Sequence, residues 1–302
     1  MLGICPIAPP LGWGRQKPPP GVLPDRSHTL AHGLRFFVPL NEAAGALVND
    51  AAGGRAGKII NAEAPDWRTR RGWLTLDGTD DYIRFPPLGV YKPTKPLSTV
   101  TRLVLPVSPP ANRYLWTLNS SAGTFAIVNC TIGSGRAFSF GWSGDSSIYR
   151  ASTNAIPLNT PSTVATTYDG SSLYTGIRLF LNGQECPYTY TPTGSNLYAA
   201  VGALALGGRA DGYSPLNCIY EWFGLWDRVL SSDEIRRLHH EGPWQMFEAE
   251  LLSACGPDVL GPYLTSAGDV ALTGAAAGQP FVAGAACGEH FLAGANVGCT
   301  HA

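Results

Sequence analysis

The stretch Ile177-Arg178-Leu179-Phe180-Leu181-Asn182-Gly183 settles the fold class. Its odd positions are all aliphatic, and side chains alternate between the two faces of a strand, so one face of this segment is apolar and the other carries Arg178 and Phe180. Asn-Gly then supplies two residues that tolerate positive φ, the requirement of a tight hairpin. The same reading extends outward in both directions. Phe138, Phe140 and Trp142 share a face, as do Leu204 with Leu206 and Ile83 with Phe85. With 36 Gly and 25 Pro breaking the chain at short intervals, many short strands and turns are expected rather than long helices. The expected fold is all-β, a two-sheet antiparallel sandwich. Only one helix is expected, opened by a capping box of Ser231 and Glu234 ahead of Ile235 and Leu238 and closed near Gly242-Pro243, acting as a short lid.

The chain divides into three regions. Residues 1–31 carry Pro6, Pro9, Pro10, Pro18, Pro19, Pro20 and Pro24, which excludes a persistent helix or ladder and leaves an extended arm. Residues 32–247 hold the sandwich. Residues 248–302 are nearly uncharged and repeat every ten residues: Gly268, Gly278, Gly288 and Gly298, then Gly274, Gly284 and Gly294, with Leu272, Val282 and Leu292 between. Each unit reads as a short strand plus turn that needs stacking or pairing between subunits; low-complexity tail is the other reading.

Charged residues are 14% of the chain and the net charge is −1, so nucleic acid is not an expected partner, and no apolar run is long enough for membrane insertion. The seven cysteines include no C-x-x-C pair, and reduced thiols are expected. The N-terminus lacks signal-peptide character, which points to synthesis in a cytoplasm; the matches at Asn119 and Asn129 to a glycosylation sequon are then fortuitous.

Three ordered segments resemble the laminin-G-like, concanavalin-type jelly-roll domains of bacterial and phage surface proteins: Gly33-Leu34-Arg35-Phe36-Phe37 leading to Leu74-Thr75-Leu76-Asp77-Gly78-Thr79-Asp80-Asp81-Tyr82-Ile83; Val164-Ala165-Thr166-Thr167-Tyr168-Asp169-Gly170 leading to Ile177–Gly183; and Leu204-Ala205-Leu206-Gly207-Gly208-Arg209 leading through Ile219-Tyr220-Glu221-Trp222 to Trp226-Asp227-Arg228. The resemblance implies a lectin-like jelly roll over residues 32–240. The family commonly has Asp-Glu where this chain has Tyr220-Glu221, which weakens a calcium or polar-network role there. Glu221 is expected to alternate with Ile219, Phe223 and Leu225 and to be a structural carboxylate. The flanks Ser27-His28-Thr29-Leu30-Ala31-His32-Gly33 and Pro243-Trp244-Gln245-Met246-Phe247 resemble those of phage virion proteins. That resemblance implies a head- or tail-decorating protein that contacts its own copies and other virion proteins through residues 1–31 and 248–302 and meets host-surface glycans with its sandwich.

A search for catalytic chemistry is unproductive. The E-x-D-x-x-E strand of glycosidases on this fold is missing, as are H-E-x-x-H, a phosphate loop at Gly53–Lys58 and a nucleophile elbow at Gly141–Asp145. No enzyme is expected; a glycan-degrading hydrolase of the same fold and a bacterial adhesin are the rival readings. Binding needs only an aromatic platform with a few polar groups, and two loop clusters offer one: Trp142, Asp145 and Tyr149, and Asp211, Tyr213 and Asn217. Each aromatic also suits the edge of a sandwich core. No cofactor is required, while Asp80 and Asp81 offer ligands for calcium or, alternatively, form a solvated turn.

Overall fold

The computed structural model describes residues 17–247, apart from 19, 43, 62–65, 69–72, 120–126, 144–146 and 190–198. In chain order the strands are β1 Leu34–Val38, β2 Leu47–Asn49, β3 Ala56–Ile60, β4 Asp66–Arg68, β5 Trp73–Asp77 and β6 Tyr82–Tyr91. They continue as β7 Leu97–Val104, β8 Arg113–Asn119, β9 Ile127–Ile132, β10 Ala137–Ser143, β11 Ser147–Ala155 and β12 Ser162–Tyr168. The last are β13 Ile177–Leu181, β14 Gln184–Glu185, β15 Tyr188–Thr189, β16 Ala200–Leu206 and β17 Asn217–Trp226, followed by α1 at Ser232–His240. Among the described residues these strands form two antiparallel sheets. One has nine strands in the order β15-β11-β10-β9-β8-β16-β6-β3-β2; the other has eight, β14-β13-β12-β7-β17-β5-β4, with β1 also paired to β17. The all-β two-sheet sandwich expected from the alternation is the fold, and it is consistent with the jelly roll that the resemblance implies.

The inner faces pack on each other. Phe36, Leu74, Leu76, Phe85, Trp116, Phe138, Phe140, Trp142, Leu179 and Phe223 belong to one continuous core between the sheets. The hairpin expected at Asn182-Gly183 is present: β12, β13 and β14 pair antiparallel, and Asn182 and Gly183 take φ of 52° and 80°, the left-handed values a two-residue hairpin turn demands.

Phe180, on the face opposite Ile177 and Leu179 as the alternation requires, is fully buried in a second core on the outside of the eight-stranded sheet, with Leu30, Leu34, Phe37, Trp222, Trp226, Leu230, Ile235, Leu238, Trp244 and Phe247. One parity expectation needs correction. Glu221 does not alternate with Phe223 and Leu225, because the β17–β7 register shifts between Tyr220 and Trp222. A bulge inserts one residue and reverses the facing of the residues beyond it. Cys218 and Tyr220 before it, and Phe223 and Leu225 after it, all reach the inner core, while Trp222 and Trp226 reach the outer one. Glu221 is buried with Arg102 at 2.9 Å, a structural carboxylate as expected; ion-pairing compensates two charges that burial alone would penalise.

The second core also corrects the lid and takes in part of the arm. Helix α1 is a core element: its Ile235 and Leu238 are fully buried, and Ser231 caps it by accepting from the Glu234 amide while Glu234 accepts from that of Ser231. The described residues of the arm between Lys17 and Ala31 lie against this chain's own sheet. Leu30 is buried in the second core, the Trp226 indole donates to the Leu30 carbonyl at 2.7 Å, and the Asp25 amide donates to the Met246 carbonyl at 2.6 Å. Lys17 Nζ donates to the carbonyls of Pro39 and Glu221 at 2.6 and 2.5 Å. Burial lowers the Lys17 ammonium pKa from 10.5 to about 7 against the pull of Glu221 and Glu42. The rest of the arm, residues 1–16, and the repeat at 248–302 lie outside the described residues.

Candidate functional site

With the outer face of the eight-stranded sheet covered, the outer face of the nine-stranded sheet is the open one. Strand pairing lays out a transverse row across it: Leu47, Lys58, Arg84, Ala205, Thr117, Asn129, Gly141 and Tyr149, each the register partner of the next. A parallel row runs Tyr114, Thr131, Ser139, Ala151 and Thr189, with the Thr131 and Ser139 hydroxyls 2.7 Å apart. Hydroxyls and amides on this face result from alternation, since the residues between them (Cys130, Phe138, Phe140) fill the core.

A ridge crosses this face. Leaving β16, the chain does not turn directly into β17; residues 207–216 fold back over the sheet. The Thr117 hydroxyl donates to the Gly208 carbonyl at 3.4 Å, Ala210 packs with Tyr82 and Ala205, and the Tyr114 amide donates to the Ser214 carbonyl at 3.3 Å. The reversal depends on Gly207, whose φ is +76° and where a Cβ would come within 2.2 Å of the Leu76 side chain.

On that ridge Tyr213 is 60% exposed. The Arg209 guanidinium lies over its ring at 4.7 Å, and Tyr114 flanks it with ring centroids 6.5 Å apart. Arg209 grips Asp211 with two bonds, Nε to Oδ1 at 2.7 Å and Nη2 to Oδ2 at 2.5 Å, and this hydrogen bonding holds the Asp211 carboxyl below its ordinary range. The result is a fixed aromatic platform with charged groups already oriented beside it. Of the residues expected here, Asp211 and Tyr213 do come together. Asn217 does not join them: it opens β17 opposite Asp77. Arg209 and Tyr114 were missed, because their part in the platform exists only once the loop has folded back.

The other expected cluster does not form. Trp142 is buried between the sheets, its ring 5.7 Å from that of Tyr168, so it cannot serve as a loop platform; the alternation that aligned it with Phe138 and Phe140 governs. Tyr149 is exposed on the outer face, the opposite side of the sheet, and Asp145 lies outside the described residues. Asp80 and Asp81 are joined by Asp77, with ligand atoms from all three within 4.8 Å of one another. That spacing matches oxygens around one hard cation. The same groups also build the turn: Asp81 accepts from the Asp77 amide at 3.1 Å and Asp77 from the Thr79 amide at 2.7 Å. Desolvation, with the charges of Asp77 and Asp80, raises the Asp81 carboxyl.

Residues 77–236 match the family model described as the concanavalin A-like lectin/glucanases superfamily. The chain belongs to that superfamily. Its matched segment runs from the Asp77 turn through the Tyr213 ridge into helix α1, so the concanavalin A-like domain and the candidate site coincide. A search of curated protein sequences finds no significant match. Among solved structures, a Trypanosoma rangeli sialidase in complex with sialic acid is similar with a TM-score of 0.51 at 16% identity, over 69% of this chain and 33% of that one. The same sialidase as a covalent intermediate gives 0.51 at 17%, over 70% and 33%. The botulinum neurotoxin serotype G binding domain gives 0.50 at 11%, over 68% and 50%. The chain thus spans about a third of the sialidase structures, and at these identities the likeness is one of fold.

Proposed function

We propose that the protein is a non-enzymatic carbohydrate-binding module, displayed on a virion surface. The observation that carries the reading is the Tyr213 platform. An exposed ring braced by Arg209, with Asp211 fixed beside it, offers a sugar a surface for its C–H face and acceptors for its hydroxyls, on a sheet face rich in hydroxyls and amides. The domain shares its fold with a sialidase solved with sialic acid and with a toxin binding domain, which supports a glycan as the ligand class.

The non-enzymatic part rests on where the acids lie. Cleavage of a glycoside needs carboxyl groups on two sides of the scissile bond. Asp211 at the platform is held by two bonds from Arg209, Asp77, Asp80 and Asp81 come from a single turn, and Glu221 is engaged with Arg102. The virion setting is supported by the resemblance of the flanks and by their placement. The described chain enters at Lys17 and leaves at Phe247 on the covered face, with Lys17 Nζ 5.6 Å from the Trp244 ring. Attachment through residues 1–16 and 248–302 would turn the Tyr213 face outward.

A glycan array probed with the full-length protein tests the reading. Binding to a defined set of glycans is expected, with a loss of at least about tenfold for Tyr213→Ala. Equal binding by the variant, or release of new reducing ends from a bound glycan, would overturn it.

A further inference from the structure

On the open face, one pleat from the ridge, Lys58 of β3 and Arg84 of β6 are direct register partners. Both are exposed, and they point outward, because Ile59, Ile83 and Phe85 between and beside them fill the core. Like charges directly opposite one another weaken a sheet. Among the described residues neither takes part in an ion pair. Their neighbours on the face are Leu47 and Ala205 along the row and Ala56, Ile60, Tyr82 and Pro86 along the strands, without an acid among them. These immediate neighbours carry no charge; the Asp77–Asp80–Asp81 turn lies beyond Tyr82 at the start of β6. Tyr82, two residues from Arg84, is roofed by the ridge: a Cβ on Gly208 or Gly212 would lie 3.2 or 3.5 Å from it.

We infer that Lys58 and Arg84 form an anion subsite that makes the module selective for acidic saccharides, those carrying a carboxylate or sulfate. The inference rests on the carbohydrate-binding reading, with Tyr213 and the cation pair holding two parts of one ligand. An acidic sugar presents an anion beside an apolar ring face, which is the pattern of Lys58 and Arg84 beside the exposed Leu47 and the half-buried Ile60. A polynucleotide would need a basic stripe that a chain of net charge −1 does not carry.

The test compares oligogalacturonate, its methyl ester and a sulfated dextran oligomer by calorimetry on the full-length protein. Wild type is expected to bind oligogalacturonate or the sulfated oligomer at least about tenfold more tightly than the neutral ester, with an advantage that shrinks as salt rises. The double variant K58A/R84A should lose that advantage and keep the affinity for the neutral ester, whereas Tyr213→Ala should weaken all probes. Neutral binding that depends on Tyr213 without any acidic preference would overturn the subsite and leave the carbohydrate reading standing. Failure to bind any of the three probes would overturn the subsite; the glycan array then decides the wider reading. A second readout is independent of ligand: Lys58→Glu places opposite charges in register and should raise Tm by about 1–3 °C. An unchanged or lowered Tm would contradict the repulsion on which the subsite rests.

Discussion

Strands β10 and β17 both run through the interior of a sheet, yet their outward sides have opposite fates. In β10, Phe138, Phe140 and Trp142 are buried while Ser139 between Phe138 and Phe140 stays partly open. In β17 every residue from Cys218 to Trp226 is buried, because residues 17–34, α1 and the turn at Trp244–Phe247 close over its outer side. The two outer faces of one sandwich thus have different roles. One is sealed by the chain's own flanks and holds both described ends, and the other is left polar and crossed by a ridge bearing an exposed aromatic. A sheet face becomes available for binding only when nothing in the chain covers it, and here sequence neighbours of the domain decide which face that is.

The strongest way to disturb this division is to remove the cover. Deleting residues 1–31 strips Leu30 and Ala31 from the second core together with the carbonyl that accepts from Trp226, and is expected to lower stability by about 3 kcal/mol or more. Deleting residues 1–16 leaves every described contact of the cover in place and should have far less effect. Urea unfolding midpoints of the two truncations measure the difference, and equal midpoints would mean that the strap adds nothing.

Single substitutions make the contrast finer. Trp222→Ala on the sealed face should destabilise by about 3–5 kcal/mol, and Tyr149→Ala on the open face by less than about 0.5 kcal/mol. Denaturant curves for the pair would expose a misassigned face directly.

Smaller effects appear with pH. Burial, with His240 and Arg102 nearby, holds the His239 imidazole down to about 4, its Nδ1 3.1 Å from the Thr163 hydroxyl. Between its ordinary value of 6.5 and about 4 the unfolded chain binds this proton and the folded chain does not, so stability falls as pH drops through that window. His239→Gln should flatten that part of the profile. Lys17 acts at the other end: with its ammonium lowered from 10.5 to about 7, the folded state binds fewer protons over that range, so docking of the strap strengthens as pH rises from about 7 towards 10.5. Amide exchange at residues 25–31, followed from pH 7 to 9 after correction for intrinsic rates and compared with Lys17→Met, would detect the change.

Much of this fold was legible in the sequence, because period-two alternation and turn chemistry are local. The hairpin at Asn182-Gly183, the inner faces of β10 and β13 and the cap at Ser231 all came from neighbouring residues. The features that could not be read depend on contacts between distant segments. The burial of Phe180 requires helix α1, some fifty residues later, and that of Trp226 requires Leu30, nearly two hundred residues earlier. The bulge at Glu221 leaves no mark in composition, so the facing of half of β17 was misassigned. For the candidate site, Asp211 and Tyr213 were visible as a polar aromatic loop, whereas Arg209 and Tyr114 join them only through the fold of the ridge. Trp142 satisfied two patterns at once, loop platform and core face, and burial of its large apolar ring decided between them.

The division of the two faces is tested most directly by hydrogen–deuterium exchange of the full-length protein with and without a glycan selected on the array. Added protection is expected at residues 113–117, 129–141 and 207–214, with residues 226–247 unchanged. Protection centred on α1 and the Trp244 turn instead would contradict it.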